Sequence, residues 1–321
     1  MPKAGVLITG FGGPDCLEAV GPFMCNLMGR EPSDEMVARI CARYDAIGGS
    51  SPLVRIASEL AEAVHDALLK RGRNLPVEVG MRYWDPFVKD AVHRLVGAGV
   101  TRIVLVTLSP FETQVTHGEY RLALDEALQE HPEVTTVEAP LLSELPAFVE
   151  LHADAAAAAL DKIGAPDTVV VFSAHSLPQA DALADDRYVS GLRTAVDTVA
   201  ASLGLPAGVD GTEVLLGIVA YGTAMGEHPW LLAFQSRGVR GGEWLGPDTD
   251  DAIAAAAASG RGGVVVVPLG FATDHMETLY DLDVAAATRA AATGIAYGRS
   301  AVPNADSRLA AGIADAVLAL G

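Results

Sequence analysis

The sequence predicts an α/β protein made of two similar doubly wound, Rossmann-like units with parallel sheets. Short runs of Val, Ile and Leu bounded by Gly or Pro are typical of strands buried on both faces of a parallel sheet. Each run alternates with a longer segment of helical periodicity, and the alternation extends over the whole chain of 321 residues. The alternating strands and helices form two successive series along the chain, and a chain of this length has room for two domains.

In the first series, Ser33 is the predicted N-cap of a helix that has Asp34 and Glu35 in its first turn. A Pro in the first turn is also favourable, so Asp85-Pro86 opens another helix. The loop 109–120 is long and polar, and it follows a buried strand, where open α/β sheets bind ligands. The predicted strands are 5–11, 77–83, 102–108 and 134–139, and the predicted helices are 33–46, 54–71, one opening at Asp85-Pro86, and 119–130.

The second series repeats the order of elements without a residue-level repeat. The segment 225–247 has little periodicity, and we assign no element to it. The connection 141–147 is the best candidate for a domain boundary, although no Ser/Gly linker marks it. The predicted strands are 167–173, 213–220, 263–269 and 293–299, and the predicted helices are 144–162, 187–203, 248–258, one beginning near Asp274, and 305–320.

Composition and charge exclude several classes of protein. The net charge of −19 argues against nucleic acid as a partner. The apolar runs are broken by charges and are too short to span a bilayer, which takes about 20 residues. Because the N-terminus lacks a signal-peptide pattern, we expect a cytoplasmic protein. The three cysteines, Cys16, Cys25 and Cys41, match no disulfide framework and no zinc or iron–sulfur spacing.

Acidic residues cluster directly after a predicted strand of four valines, in the stretch Val264–Asp283. On one continuous helix, Asp274, Glu277 and Asp281 would share a face, because they lie at positions i, i+3 and i+7. A row of carboxylates there suggests a cation or a proton-transfer task. The alternative is that Asp274 is an N-cap and Glu277 completes a capping box.

His175 follows the predicted strand 167–173 and precedes a turn closed by Pro178. If this strand is a neighbour of 263–269, His175 and Glu277 face one crevice at the carboxyl edge of the sheet. A His and a carboxylate can share a proton or ligate Fe²⁺ or a related divalent metal. The spacing matches no local metal motif, so it names no reaction, and a hydrogen-bonded structural His remains the alternative.

The chain resembles the ferrochelatase family, whose members insert iron into porphyrins. This family has two similar doubly wound domains with a deep cleft between them, and its closing helix returns to the first domain. The resemblance therefore implies a first domain of residues 1–145 and 303–321 and a second domain of residues 146–302 with the catalytic His and Glu. The motifs that carry it are GVLITGFGGP at 5–14, RYDAIGGSSPL at 43–53, GMRYWDPF at 80–87, FSAHSLP at 172–178, FQSRG with EWLGP at 234–247, and PLGFATDHMETLYDLD at 268–283.

By this resemblance His175 and Glu277 match the catalytic, metal-binding pair of the family. The residues that match substrate-binding positions are Arg30 and Arg43 near the propionates, Ser51 in the GGSSPL loop, and Tyr120 after the third strand. The aromatic residues that are candidates for enclosing a flat macrocycle are Phe11, Phe271, Trp230 and Trp244.

The expected function is insertion of Fe²⁺ into a porphyrin in heme biosynthesis, with coproporphyrin III as the preferred substrate. The basic and hydroxyl residues suit its four propionates, and the net charge would repel an anionic membrane surface. Glu112 in the loop 109–120 argues the other way, because a carboxylate there would repel a propionate. The alternatives are a chelatase for protoporphyrin IX or for another metal or tetrapyrrole, and a non-enzymatic tetrapyrrole-binding protein.

Neither a cofactor nor an iron–sulfur cluster is expected, because a four-thiolate cluster needs one more cysteine than the three present. A dinucleotide is also disfavoured, since the turn Gly12-Gly13-Pro14 lacks the full GxGxxG pattern. The expected partners are a porphyrin and ferrous iron, with no nucleic acid and no integral membrane segment. Transient contacts with neighbouring heme-pathway enzymes are compatible with this assignment.

Overall fold

The structure is a computed structural model that describes residues 3–209, 213–216, 218–220, 223–224, 228–238 and 241–321. It divides into two compact units. The first unit comprises Met1–Ala147, Ala272–Met276 and Pro303–Gly321, and the second comprises Phe148–Phe271 and Glu277–Val302. The short segment Ala272–Met276 thus groups with the first unit, although the sequence analysis assigned it to the domain 146–302.

Strands and helices alternate along both units. From the N-terminus to the end of the fourth strand the elements are β1 Ala4–Gly10, α1 Val20–Met28, α2 Asp34–Ala46, α3 Leu53–Lys70, β2 Val77–Met81, α4 Val88–Gly97, β3 Arg102–Thr107, α5 Glu119–Leu128 and β4 Thr135–Glu138. The remaining elements are α6 Pro146–Ile163, β5 Thr168–His175, α7 Gln179–Ala184, α8 Arg187–Ser202, β6 Glu213–Leu215, β7 Ile218–Ala220, β8 Thr223–Ala224, β9 Trp230–Gln235, α9 Thr249–Ala258, β10 Gly263–Val267, α10 Met276–Leu279, α11 Ala287–Thr293, β11 Ala296–Arg299 and α12 Ser307–Ala319.

The first unit contains a four-stranded parallel sheet with the order β2-β1-β3-β4. Strand β1 is central, and its Val6, Leu7 and Ile8 are fully buried, as expected for a strand covered on both faces. The C-terminal helix α12 packs against α3 within this unit. Arg71 at the end of α3 supports that packing, because its guanidinium bonds both carboxylate oxygens of Asp315 at 2.6 and 2.7 Å.

The second unit contains a five-stranded sheet with the order β11-β10-β5-β9-β8. All neighbouring strands are parallel except β8, which pairs antiparallel with β9. Strand β5 lies in the middle, between β10 and β9, and its last residue His175 is in register with Gln235 of β9. The carboxyl ends of these three parallel strands therefore meet at one edge of the sheet.

The structure confirms the predicted α/β class with parallel sheets and most of the predicted elements. The predicted strand 213–220 is wrong: it is an antiparallel hairpin of β6 and β7, and the chain turns at Leu216, whose φ is +55°. The strand that pairs with β5 is instead Trp230–Gln235, in the segment 225–247 that we left without an element. All six of its residues are buried, and its run of Trp, Leu, Ala and Phe contains no β-branched residue that would distinguish a strand from a buried helical segment.

The acidic stretch after β10 is not one regular helix. Helix α10 is only four residues long, and a π-helical segment, Asp281–Ala286, follows it. Asp274 precedes α10, and its carboxylate accepts a hydrogen bond from the side-chain amide of Asn304 at 2.9 Å. The prediction that Asp274, Glu277 and Asp281 share one helical face is therefore wrong, because Asp274 lies outside α10 and Asp281 begins a separate, π-helical segment.

Among the described residues, no helix combines the length and the apolar character needed to cross a membrane.

Candidate active site

His175 is held in one orientation at the carboxyl end of β5. Its Nδ1 lies 2.6 Å from the backbone carbonyl oxygen of Ser176. Because a carbonyl oxygen only accepts, Nδ1 carries the proton and Nε2 is directed to the other side of the ring. The buried Tyr188 hydroxyl donates to the His175 carbonyl at 2.8 Å and fixes the backbone at the same point.

Glu277 lies opposite the free edge of that ring. Its Oε1 is 3.4 Å from His175 Nε2, and the two side chains are 30% and 34% exposed, so a ligand can still reach both. Glu277 lies in α10, the helix that follows β10, and β10 pairs directly with β5. The two residues are 102 positions apart in the sequence, and the adjacency of these parallel strands brings them together as the sequence analysis expected.

The charges around His175 favour its protonated form. Burial alone lowers its pKa, but the charge of Glu277 and the hydrogen bond to it act in the opposite direction. The Ser176 carbonyl and the charge of Asp281 add to this, and the result is a pKa raised to about 9. At neutral pH His175 is therefore a protonated imidazolium, and it lies beside the Glu277 carboxylate.

Asp281 is oriented by Ser236, a residue that the sequence analysis quoted only as part of a motif. The Ser236 hydroxyl donates to Asp281 Oδ2. Ser236 has a φ of +58°, a left-handed conformation that is uncommon for a residue other than Gly. Such a conformation at the end of β9 turns the chain sharply, and the strain marks this position as one that the surrounding contacts hold in place.

The pair offers an imidazole nitrogen and a carboxylate oxygen, which can ligate a divalent metal or exchange a proton. Within the part of the chain that the structure describes, no group of three or more His, Cys, Asp or Glu side chains is spaced to hold a metal ion. Two protein ligands leave most coordination positions of a divalent metal open.

Three of the four predicted substrate-binding residues, Arg30, Arg43 and Ser51, lie around the turn after β1 and the ends of α1 and α2. Ser51 is directly against Gly13: a Cβ built on that glycine would lie 2.5 Å from the Ser51 hydroxyl oxygen. The Ser51 amide also donates to the Pro14 carbonyl at 2.7 Å. Arg43 lies in the last turn of α2, and the exposed Arg30 directly follows the C-cap of α1.

Tyr120 occupies a different environment from the one predicted. Its side chain is buried in the first unit with 1% exposure, and its hydroxyl is 3.3 Å from the Ser109 hydroxyl. A side chain in that position offers almost no surface to a porphyrin. It lies in the first turn of α5, whose buried face fills the core, so core packing accounts for this aromatic residue.

Two of the four aromatic candidates, Trp230 and Phe271, are buried, and the other two, Phe11 and Trp244, are half-buried. Trp230 is fully buried in the second sheet, and its indole N–H donates to the Pro206 carbonyl at 2.9 Å, so it is a core residue. Phe11 is half-buried, and its ring centroid lies 4.7 Å from that of Tyr83. Together with Phe23 and Trp84 these rings form an aromatic cluster at the carboxyl edge of the first sheet.

Glu112 is not an isolated negative charge, although the arginine that pairs with it is shared with a second carboxylate. Its carboxylate lies 3.0 Å from Arg121, whose guanidinium also bonds both oxygens of Glu138. The loop around it is ordered by a π-helical turn, Gln114–Gly118. His117 in that turn is buried, and burial lowers its pKa to about 4, so it stays neutral at physiological pH.

Solved structures with the same fold define the class of protein. SirB from Bacillus subtilis with Fe³⁺ superposes with a TM-score of 0.54, covering 98% of this chain and 94% of that one, at 14% identity. CbiX, described as the terminal enzyme of siroheme biosynthesis in denitrifying bacteria, gives a TM-score of 0.54 with 98% of both chains covered, at 16% identity. The fold is therefore that of the two-domain chelatases.

The sequence comparisons specify the family. The sequence model of the ferrochelatase family matches residues 3–320. A coproporphyrin III ferrochelatase of Frankia alni is 35% identical, with 97% of this chain and 78% of the relative covered. The corresponding enzyme of Mycolicibacterium smegmatis is 34% identical over 97% and 88%, and a ferrochelatase of Herpetosiphon aurantiacus is 30% identical over 95% and 94%. The chain belongs to the ferrochelatase family and is an enzyme of heme biosynthesis that inserts iron into a porphyrin.

The geometry of the pair predicts how the pKa of His175 responds to its neighbours. In Glu277→Gln the carboxylate charge is lost, so burial dominates and the pKa of His175 falls well below about 9. In Asp281→Asn the fall is smaller, because Asp281 makes the smallest of the raising contributions. A ¹H–¹³C NMR titration of the His175 ring measures both. A pKa that stays near 9 in Glu277→Gln would contradict the assignment.

Proposed function

We propose that this ferrochelatase inserts Fe²⁺ into coproporphyrin III in preference to protoporphyrin IX, and that His175 and Glu277 handle the metal and the pyrrole protons. The observation that carries the proposal is the distance of 3.4 Å between His175 Nε2 and Glu277 Oε1. A carrier of tetrapyrroles needs a binding surface but has no use for a partly exposed acid–base pair. The pair therefore supports a catalyst over a non-enzymatic binding protein.

Metal insertion must remove two protons from the porphyrin, one from each pyrrole N–H group, while Fe²⁺ takes their place. At neutral pH the raised pKa keeps a proton on His175, so Nε2 is not yet a base or a ligand. Metal ligation needs the neutral imidazole and releases that proton. We infer that the partly exposed Glu277 carboxylate accepts it and passes it to solvent, after which the neutral Nε2 is available to the metal or to a pyrrole proton. Each of the two pyrrole protons then leaves through Glu277 to solvent in turn.

The preference for coproporphyrin III rests on the chemistry of the carboxylates. Coproporphyrin carries four propionates and protoporphyrin carries two. Arg30 and Arg43 are cationic, and the Ser51 hydroxyl can donate a hydrogen bond, so all three suit carboxylate groups. The objection from Glu112 is weaker in the structure, because its carboxylate pairs with Arg121 at 3.0 Å, although Arg121 is shared with Glu138. Two of the relatives are named coproporphyrin III ferrochelatases, which supports the same preference.

Removing either member of the pair should abolish most of the turnover while porphyrin binding persists. We expect kcat to fall by at least about a hundredfold in His175→Ala and Glu277→Gln, the range that general acid–base groups contribute. An anaerobic assay with Fe²⁺ and coproporphyrin III measures turnover, and quenching of porphyrin fluorescence measures binding.

The matched control for that experiment is His228→Ala. His228 lies in the same unit, and its Nδ1 also bonds a backbone carbonyl, that of Thr168, at 3.2 Å. It precedes β9, so it lies at the amino edge of the sheet whose carboxyl edge carries His175. This variant should keep wild-type kcat. Near-normal turnover in His175→Ala or Glu277→Gln would remove that residue from the mechanism.

The substrate preference is tested by the ratio of kcat/KM for coproporphyrin III and protoporphyrin IX under one detergent condition. We expect the ratio to favour coproporphyrin III. Arg30→Ala and Arg43→Ala should raise its KM more than they lower kcat, because propionate contacts are equal in ground and transition states. The control is Arg73→Ala, an exposed arginine that precedes β2 at the opposite edge of the first sheet. A ratio that favours protoporphyrin IX would overturn the preference and leave the family assignment intact.

A further inference from the structure

Gln235 is a buried polar residue that directly underlies the catalytic pair. It is the last residue of β9, is in register with His175 of β5, and is 3% exposed. A buried side-chain amide is costly unless its donor and acceptor atoms find partners. The hydrogen bonds of the Gln235 side chain connect three separate segments of the second unit.

Hydrogen-bond chemistry fixes the orientation of the Gln235 amide. Its Nε2 lies 2.7 Å from the backbone carbonyl oxygen of Glu277, and its Oε1 lies 2.9 Å from the Ser173 hydroxyl. A carbonyl oxygen cannot donate, so the nitrogen must face Glu277. The Ser173 hydroxyl then donates to Oε1. The amide therefore ties Glu277 to two adjacent strands, because Ser173 belongs to β5 and Gln235 to β9.

The Glu277 backbone depends on this contact more than a residue in a long helix would. Helix α10 spans only Met276–Leu279, and the last carbonyl groups of any α-helix lack an intrahelical partner. The next helical segment is π-helical and starts at Asp281. The carbonyl of Glu277 thus falls at an interruption of the helix, and the side chain of Gln235 supplies a donor there.

We propose that Gln235 is a positioning residue for catalysis: its amide holds the Glu277 backbone against the strand pair that ends in His175, and so sets the distance between the Glu277 carboxylate and the His175 imidazole. This inference rests on the proposed function of that pair. The side-chain hydrogen bonds of Gln235 go to the Ser173 hydroxyl, the Glu277 carbonyl and, at 3.4 Å, the Ser236 hydroxyl, and not to the imidazole or the carboxylate oxygens. Gln235 acts through the backbone of Glu277.

The test compares variants that remove the amide donor. Gln235→Leu keeps the volume but has no donor, and Gln235→Glu keeps the shape but presents an acceptor to the Glu277 carbonyl. We expect kcat for coproporphyrin III to fall by about tenfold to a hundredfold in both, because a displacement of about 1 Å can have that effect. KM for the porphyrin should change by less than about twofold, since propionate contacts are untouched. At fixed pH, the NMR signal of the His175 ring should move towards its position in Glu277→Gln.

The matched control is Thr168→Val. Thr168 is also fully buried, and its hydroxyl donates to the Ala165 carbonyl at 2.7 Å, but it begins β5 at the opposite edge of the sheet. Loss of this buried hydrogen bond costs stability without moving Glu277. It should leave both kcat and the His175 signal as in the wild type. Should Gln235→Leu fail to fold, Gln235→Glu carries the test by the same readouts.

The double variant Gln235→Leu/Glu277→Gln decides whether Gln235 acts through Glu277. If it does, the double variant turns over no more slowly than Glu277→Gln and has the same His175 signal. The inference would be overturned if the double variant lost more kcat than Glu277→Gln alone. It would also be overturned if Gln235→Leu and Gln235→Glu both kept wild-type kcat and an unmoved His175 signal. Normal turnover of Glu277→Gln itself would instead overturn the proposed function of the pair, so the two failures are distinguishable.

Discussion

The position of β5 between β9 and β10 is the constraint on which the candidate site depends. In parallel neighbours the carboxyl ends lie at one edge, so the residues that follow these strands meet although they are far apart in sequence. His175 ends β5, Gln235 ends β9, and Glu277 lies in the segment after β10. If one of the three strands were displaced, the separation of 3.4 Å between imidazole and carboxylate would not persist.

Two opposing effects act on His175, and their balance determines its chemistry. Burial lowers its pKa, whereas the Glu277 charge, the hydrogen bonds and the Asp281 charge raise it further than burial lowers it. The pair therefore holds a proton at neutral pH, and in the proposed mechanism it releases that proton before the imidazole binds metal. Because Nδ1 donates to the Ser176 carbonyl, it is Nε2 that faces Glu277 and that the proposed mechanism uses.

Much of the fold was predictable from the sequence, and the exceptions have physical causes. Apolar runs such as Val264–Val267 revealed buried strands, and the strand ends then located His175 and Glu277. Strand β9 was missed because its short apolar run contains no β-branched residue, and the hairpin around Leu216 was mistaken for a sheet strand. The hydrogen bond from Gln235 to Glu277 could not be predicted, because the two residues are 42 positions apart and the contact depends on an interrupted helix. Tyr120 has the residue type expected at a porphyrin site, and only its burial assigns it to the core.

The most direct test of the account is the pH dependence of the rate constant for Fe²⁺ insertion in a single anaerobic turnover with bound coproporphyrin III. Below the pKa of about 9, each pH unit changes the fraction of neutral His175 about tenfold. We expect the rate constant to rise from pH 6.5 and to level off where the pair loses its proton. The pH at which it levels off gives the apparent pKa of the coupled groups. A rate constant that is independent of pH over this range, or that falls as the pH rises, would contradict the account.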